Sequence, residues 1–162
     1  MQSRTGEIFN TARMEEMWKV LAFEGELGES SDGKQLKKYA RATYDFAVNG
    51  GAISDINLGP IIPVNAIVTR VFYQVKTTFT SATDAAEVGL QIDGASPVAL
   101  KASTAISAGG NVWDAGIHEG AQTGTAANMS AVTESGQIQL TIATEVLTAG
   151  KLVVIVEYVI GE

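Results

Sequence analysis

The last stretch of the chain, residues 136–160, places the tightest constraint on the fold. Between Gln137 and Ile142, polar and apolar residues alternate with a period of two, which is the pattern of a β-strand with one wet face and one buried face. From Lys151 to Ile160 the sequence is almost wholly apolar and rich in β-branched residues, and only Glu157 interrupts it. A strand that is apolar on both faces must be covered on both sides, by a second sheet or by a neighbouring subunit.

Upstream residues supply candidate partner strands for this stretch. Alternating apolar residues bounded by turn signals such as Asn49-Gly50-Gly51 and Gly59-Pro60 predict six further strands. They cover residues 40–46, 53–58, 64–79, 87–92, 98–100 and 129–132. In the longest strand, one face is expected to carry Ile67, Thr69, Val71, Tyr73 and Val75. Residues 103–127 are small and glycine-rich, and they predict long loops.

Seven or eight strands with no interspersed helix predict an all-β domain, a β-sandwich or a jelly-roll-like fold. We place this domain at residues 39–162, because the charge density falls sharply near Lys38. Residues 1–38 are expected to form a separate N-terminal arm, in which Thr11 caps a helix over about residues 12–23 and a glycine-containing linker follows.

The predicted arm helix has one apolar stripe at helical spacing. The stripe consists of Met14, Met17, Trp18 and Leu21. A helix of about a dozen residues is marginal alone in water, so it must dock on something. We expect the stripe to bind a partner protein. The alternative is a helix that folds back over one open end of the sandwich.

Composition excludes several classes of function. The net charge is -7, whereas nucleic-acid binding needs clustered Lys and Arg, so no nucleic-acid partner is expected. The chain has no cysteine, which excludes disulfides and thiol chemistry. No segment reaches the roughly 18 apolar residues of a membrane helix, and the N-terminus does not resemble a secretion signal. We therefore expect a soluble protein without a membrane partner.

Candidate chemistry is sparse. The single histidine, His118, lies near Asp114 and Glu119, a set that could in principle ligate a metal or perform acid–base chemistry. One histidine in a glycine-rich segment is more often an ordinary surface residue. Trp113 could stack on a sugar, anchor a protein contact, or lie over the end of the sandwich. We expect no cofactor, no metal and no enzymatic activity.

Two segments resemble a known group of proteins. Residues 42–59 (ATYDFAVNGGAISDINLG), continuing through 63–69 (PVNAIVT), resemble the opening of small tailed-bacteriophage structural proteins, and residues 140–158 (LTIATEVLTAGKLVVIVEY) resemble their ending. Members with an assigned role look like capsid decoration (cement) proteins, particularly in cyanophages. The resemblance implies a β-sandwich on the outer surface of a head shell, made in the host cytoplasm and commonly trimeric. Residues 1–40 lie outside it.

The leading hypothesis is therefore a virion protein that decorates a phage head and bridges neighbouring subunits of the major capsid protein. One alternative is a tail-fibre or baseplate module that binds host glycans, which would need several aromatic side chains at one loop face. Another is a glycan hydrolase, which would need two facing carboxylates about 5–9.5 Å apart; no spacing in the sequence indicates such a pair. The doubly apolar final strand also predicts a homo-oligomer, with a trimer favoured by the resemblance.

Overall fold

The structure, a computed structural model, describes residues 36–161, here called the β-domain. The predicted helix over residues 12–23 and its stripe lie outside the described residues. The β-domain contains nine strands, a one-turn helix and a short 3-10 turn (Ala126–Asn128). In chain order the elements are β1 (Lys38–Asp45), α1 (Phe46–Asn49), β2 (Ser54–Ile62), β3 (Ala66–Ser81), β4 (Glu87–Ile92), β5 (Val98–Ala105), β6 (Gly116–Thr123), β7 (Ser130–Ala131), β8 (Gly136–Ala143) and β9 (Leu147–Ile160).

The strands form two antiparallel sheets. One sheet has the order β1-β9-β3-β6, with the two-residue strand β7 also paired to β3, and the other has the order β2-β8-β4-β5. Every pairing is antiparallel. Of the first six strands, β1, β3 and β6 belong to the first sheet and β2, β4 and β5 to the second. The chain therefore crosses repeatedly between the two layers. The predicted all-β class is confirmed.

The final strand lies inside the first sheet, between β1 and β3. Leu152, Val154 and Val156 face the other sheet and are completely buried. Burying each of these side chains contributes about 1.5–3 kcal/mol, so this face is a major part of the core. The predicted alternation of β9 is confirmed, since its other face carries Val153 and Ile155.

The predicted partner for this core is β8. Its alternate residues Ile138, Leu140 and Ile142 are buried in the same apolar cluster as β9, whereas Gln137 and Gln139 are half-buried. A strand with one apolar face and one polar face was expected here, and the structure confirms it.

The prediction for the long strand β3 is wrong at its beginning. The pairing of β3 with β9 shifts by one residue between Val68 and Arg70, so Thr69 forms a β-bulge. An extra residue reverses which side chains face inward, because side chains alternate along a strand. Val68 is therefore in the core and Ile67 is only half-buried, whereas Val71 is buried as predicted.

The predicted loops over residues 103–127 are wrong in part, since only residues 106–115 and 124–127 lie outside the strands. β5 continues to Ala105, and residues 116–123 form the edge strand β6, which pairs with β3. This strand has a glycine where its backbone closely approaches β5 of the other sheet. A Cβ atom on Gly120 would lie 2.5 Å from the carbonyl oxygen of Leu100 in β5. Packing against β5 therefore requires glycine at this position, and the low β-propensity of the segment does not indicate a loop.

Two element boundaries also differ from the prediction. Phe46 does not extend β1 but begins α1, because the Asp45 side chain accepts a hydrogen bond from the Ala47 backbone N–H and caps a helical turn. β2 does not end at Gly59-Pro60 but continues to Ile62, with a register shift that accommodates both residues. Proline is tolerated there because β2 is an edge strand.

Candidate interaction surface

The outer face of the five-stranded sheet, turned away from the core, is the first candidate surface. Its centre is one row across three strands, in which Arg41, Ile155 and Phe72 are direct neighbours. Ile155 and Phe72 are half-buried, and Arg41 is exposed. Ile117 of β6, next to this row, is 77% exposed. An apolar strip with a charged margin is the composition of many protein interfaces.

Glu157 lies buried on this outer face, where it is 8% exposed. Its carboxylate accepts hydrogen bonds from the Thr69 hydroxyl at 2.7 Å and the Tyr39 hydroxyl at 3.1 Å, and it forms an ion pair with Lys37 at 3.0 Å. The hydrogen bond from Thr69, followed by those from Lys37 and Tyr39, lowers the pKa of Glu157 against the opposite effect of desolvation. The carboxylate is therefore held ionised in place.

This network fixes the point at which the chain enters the β-domain. Lys37 and Tyr39 stand at the start of β1, and Thr69 is the bulged residue of β3, so Glu157 joins three strands. The bulge brings the Thr69 hydroxyl towards β9, where its single hydrogen is shared between the Glu157 carboxylate and the Glu157 carbonyl oxygen, which lies 3.2 Å away. The network therefore holds Lys37 and Tyr39 against β9 and β3.

The acid–base candidates near His118 do not converge. The His118 ring stacks on Tyr73 and one ring nitrogen contacts the Asp114 carbonyl oxygen at 2.9 Å, whereas Glu119 points away and pairs with Arg70 at 2.9 Å. Within residues 36–161 no group of three or more His, Asp or Glu side chains is arranged to hold a metal ion. Nor does any helix among these residues have the length and apolarity to cross a membrane.

Trp113 is a core residue. It is completely buried, its ring packs against Tyr73 and Phe79 at centroid distances of 5.5 Å, and its Nε1–H donates to the Thr104 hydroxyl at 2.9 Å. Of the three interpretations open from the sequence, packing against the sandwich is the one that the burial of Trp113 supports. The side chain is not available to stack on a sugar.

The sequence prediction placed the binding residues on the arm and did not anticipate the buried network around Glu157. Met14, Met17, Trp18 and Leu21 lie outside the described residues, so their role stays a prediction. For Glu157 the sequence did carry a signal, since it interrupts the apolar run from Leu152 to Ile160. No comparable signal marks the partners Lys37, Tyr39 and Thr69, which are distant in sequence.

Comparison with known proteins identifies the fold alone. No protein-family model matches the chain, and no curated protein matches it. A chain in the acid-stable capsid structure of Helicobacter pylori bacteriophage KHP30 matches with a TM-score of 0.56 and 15% identity, over 78% of this chain and 90% of that one. A chain in the capsid asymmetric unit of cyanophage Pam1 matches with a TM-score of 0.52 and 18% identity, over 83% of this chain and 99% of that one. The β-domain thus has a fold that also occurs in chains of bacteriophage capsids.

Proposed function

We propose that this protein is a virion structural protein that decorates the outer surface of a phage head and bridges neighbouring subunits of the major capsid protein. The observation that carries the proposal is the fold that this chain shares with two capsid chains. The matches include 90% of one capsid chain and 99% of the other. Those chains are consequently small, close in size to the β-domain. A chain of that size suits an accessory position on a shell better than the shell itself.

We further propose that the two sheets form a jelly roll. Support comes from the strand orders β1-β9-β3-β6 and β2-β8-β4-β5, in which each sheet takes its strands from both halves of the chain. Two interlocked Greek keys produce this arrangement, and jelly rolls of this kind are common in viral capsid domains.

The bridging is proposed to depend on the arm. A compact sandwich touches only what lies beneath it, whereas residues 24–36 can span about 40 Å when extended. The helix with Met14, Met17, Trp18 and Leu21 would dock its apolar stripe on a neighbouring subunit, with Trp18 as the anchor. The buried network around Glu157 supports this proposal, since it fixes the start of β1 from which such an arm would be directed.

Oligomerisation is proposed to use the outer face of the five-stranded sheet. Ile155 and Phe72 are only half-buried there and Ile117 is exposed, so a second copy would cover apolar surface that one copy leaves in water. A trimer is favoured by the sequence resemblance to decoration proteins.

The glycan-binding alternative finds no support in the β-domain. Its one aromatic candidate, Trp113, is in the core. The enzymatic alternative needs a convergent acid–base group, and the residues around His118 do not form one. We therefore propose a structural, non-catalytic role.

Attachment to particles tests the proposed role of the arm. Full-length protein and a variant without residues 1–35 are added to heads that lack the protein, and bound protein is measured after sedimentation. We expect the truncated variant to melt at the same temperature as the full chain but to bind more weakly. Trp18→Ala should weaken binding by about 2 kcal/mol if Trp18 is a hot spot. Undiminished binding by the truncated variant would show that the arm is not the bridge.

A further inference from the structure

The two margins of the outer face carry opposite charges. One row across the five-stranded sheet consists of direct neighbours from β1, β9, β3 and β6, namely Arg41, Ile155, Phe72 and Glu119. Arg41 is exposed at one end of the row and Glu119 at the other, and the two apolar side chains between them are half-buried. A head-to-tail contact between identical copies needs two different surfaces that complement each other. The charges at the two margins meet this requirement.

Both charged side chains can take a partner from another copy. Arg41 forms no ion pair with another described residue. Glu119 pairs with Arg70 through its Oε1 atom at 2.9 Å, and its side chain is 58% exposed, so its second oxygen can accept from a further cation. Within one copy, Arg41 and Glu119 are three strand spacings apart, about 14 Å, which is too far for an ion pair.

The strands at these margins are suited to pair with each other. Among the described strands β1 pairs only with β9, and β6 only with β3, so each has one edge without a neighbour. Direction reverses three times from β1 through β9 and β3 to β6, so β1 and β6 run in opposite directions. Two copies side by side in the same orientation therefore bring β6 of one against β1 of the other as an antiparallel pair. Open edges are the places where a strand from another chain adds to a sheet.

We infer that β6 of one copy pairs with β1 of a neighbouring copy, with Glu119 bound to the neighbour's Arg41. The inference rests on the proposed oligomer and specifies the contact within it. The five-stranded sheet then continues from one copy into the next, and the apolar strips of the two outer faces become neighbours. The contact is short, because the pairing of β6 with β3 is regular only over residues 116–119. A short contact should depend strongly on its charge pair.

The charge pair selects one register. When Glu119 lies opposite the neighbour's Arg41, Ile117 lies opposite the neighbour's Thr43, because residue numbers run in opposite directions along an antiparallel pair. Ile117 is 77% exposed, and a β-branched side chain across the pair would cover part of it. A shift by one residue would set outward side chains against inward ones, and a shift by two would separate the two charges.

Disulfide trapping in the full chain tests this register, and no native cysteine interferes. Chains with Thr43→Cys are mixed with chains with Ile117→Cys and oxidised. Opposite residues in an antiparallel pair have Cα atoms about 4.5–5.5 Å apart, within the reach of a disulfide. The matched control replaces Ile117→Cys by Gln74→Cys, which is exposed in the same row but one strand further away, about 10 Å from the neighbour's Thr43. We expect a mixed disulfide dimer with Ile117→Cys and not with Gln74→Cys.

Charge reversal tests the ion pair, with the association constant measured by sedimentation equilibrium. Arg41→Glu and Glu119→Arg each replace an attraction by a repulsion, so each should weaken association about tenfold. A chain with both substitutions exchanges the two charges and should recover most of the association. The distance of about 14 Å within one copy means that this recovery requires a contact between copies. Lys76→Glu is the control, since it makes the same change of net charge at an exposed position of β3 and should leave association unchanged.

Other outcomes separate this inference from the proposed function. Cross-links between two Thr43→Cys chains or two Ile117→Cys chains, in place of the mixed one, would overturn the inference, because like edges would then be paired. An oligomer that forms no mixed cross-link and does not respond to the charge reversals would also overturn it, while the proposed oligomer and decoration would stand. A parent chain that sediments as a monomer would overturn both the inference and the proposed oligomer. Particle attachment, measured separately, tests decoration itself.

Discussion

At the residue scale, the sequence indicated that Glu157 is unusual but did not indicate which residues bind it. As the one charge in the apolar run from Leu152 to Ile160 it was visible in the sequence as an exception, and the structure shows that it is hydrogen-bonded, paired and buried. Its principal partner, Thr69, is 88 residues away along the chain and occupies a bulge that no periodic pattern announces. Position along a strand could be predicted, whereas partners across strands could not.

Replacing this carboxylate should destabilise the β-domain. Glu157→Gln keeps the size of the side chain but loses the ion pair with Lys37 and weakens the bonds from Thr69 and Tyr39, so we expect a loss of about 1–2 kcal/mol in the free energy of unfolding. Chemical denaturation measures it. The matched control is Glu119→Gln, whose pair with Arg70 is exposed and should contribute little. Equal effects of the two substitutions would contradict our account of Glu157.

The same carboxylate predicts a pH dependence. The pKa of Glu157 is lowered in the folded state from the usual value of 4.5, first by the bond from Thr69, so its ionised form stabilises the fold. This contribution is complete above about pH 4.5 and disappears as the pH falls through the lowered folded-state pKa. The difference in melting temperature between the parent and Glu157→Gln should therefore shrink below pH 4.5. A constant difference down to pH 3 would contradict this.

Among single substitutions, the largest loss in unfolding free energy is expected at Trp113. Because its ring is completely buried against Tyr73 and Phe79, Trp113→Ala should cost about 3–5 kcal/mol in unfolding free energy. Trp113→Phe keeps much of the packing and loses the bond to Thr104, so it should cost less. Urea denaturation of the two variants gives the comparison. A neutral Trp113→Ala would mean that the side chain is not in the core.

At the scale of elements, predictions succeeded where burial and propensity agree. β8 alternates cleanly, and from Leu152 to Ile160 β9 is apolar except at Glu157; both strands include the residues predicted for them. β6 was missed because its residues, GIHEGAQT, suit an edge strand whose backbone must approach another sheet, and small residues there resemble a loop. For the part of β3 before Thr69, the prediction of which side chains face the core was wrong. A bulge changes the alternation of side chains without changing the composition.

The close approach at Gly120 can be tested directly. Gly120→Ala would place a Cβ atom 2.5 Å from the Leu100 carbonyl oxygen and 2.6 Å from Val71, so the edges of the sheets must separate. We expect a loss of about 1–3 kcal/mol, the usual cost of overpacking. Gly109→Ala is the control, since no atom lies within 4 Å of its added Cβ and no positive backbone angle is required there. A melting scan that ranks both variants equally would contradict the packing described for β6.

At the scale of the whole molecule, the sequence predicted an all-β domain, and the structure confirms that class. The doubly apolar final strand led to the expectation of an oligomer, because one sheet cannot cover both faces. Ile155 and Phe72 on the outer face are only half-buried, and we propose that face as the contact between copies. The arm, the site of all residues that the sequence marked for binding, stays a prediction.

Oligomeric state is the first measurement at this scale. Sedimentation of the full chain at tens of micromolar should show a homo-oligomer, with the mass of a trimer. Phe72→Lys, which puts a charge on the half-buried strip, should shift the population towards monomer, whereas Arg41→Lys conserves the charge beside the same strip and should not. A parent protein that sediments as a monomer would leave the outer face unexplained.

The position of the protein in assembled particles tests the central claim most directly. Purified particles are imaged by electron cryomicroscopy with and without an antibody against the β-domain. Our account predicts antibody density in regular array on the outside of the head, at points where neighbouring capsid subunits meet, and none on the tail. Density on tail fibres or the baseplate, with bare heads, would contradict a decoration protein.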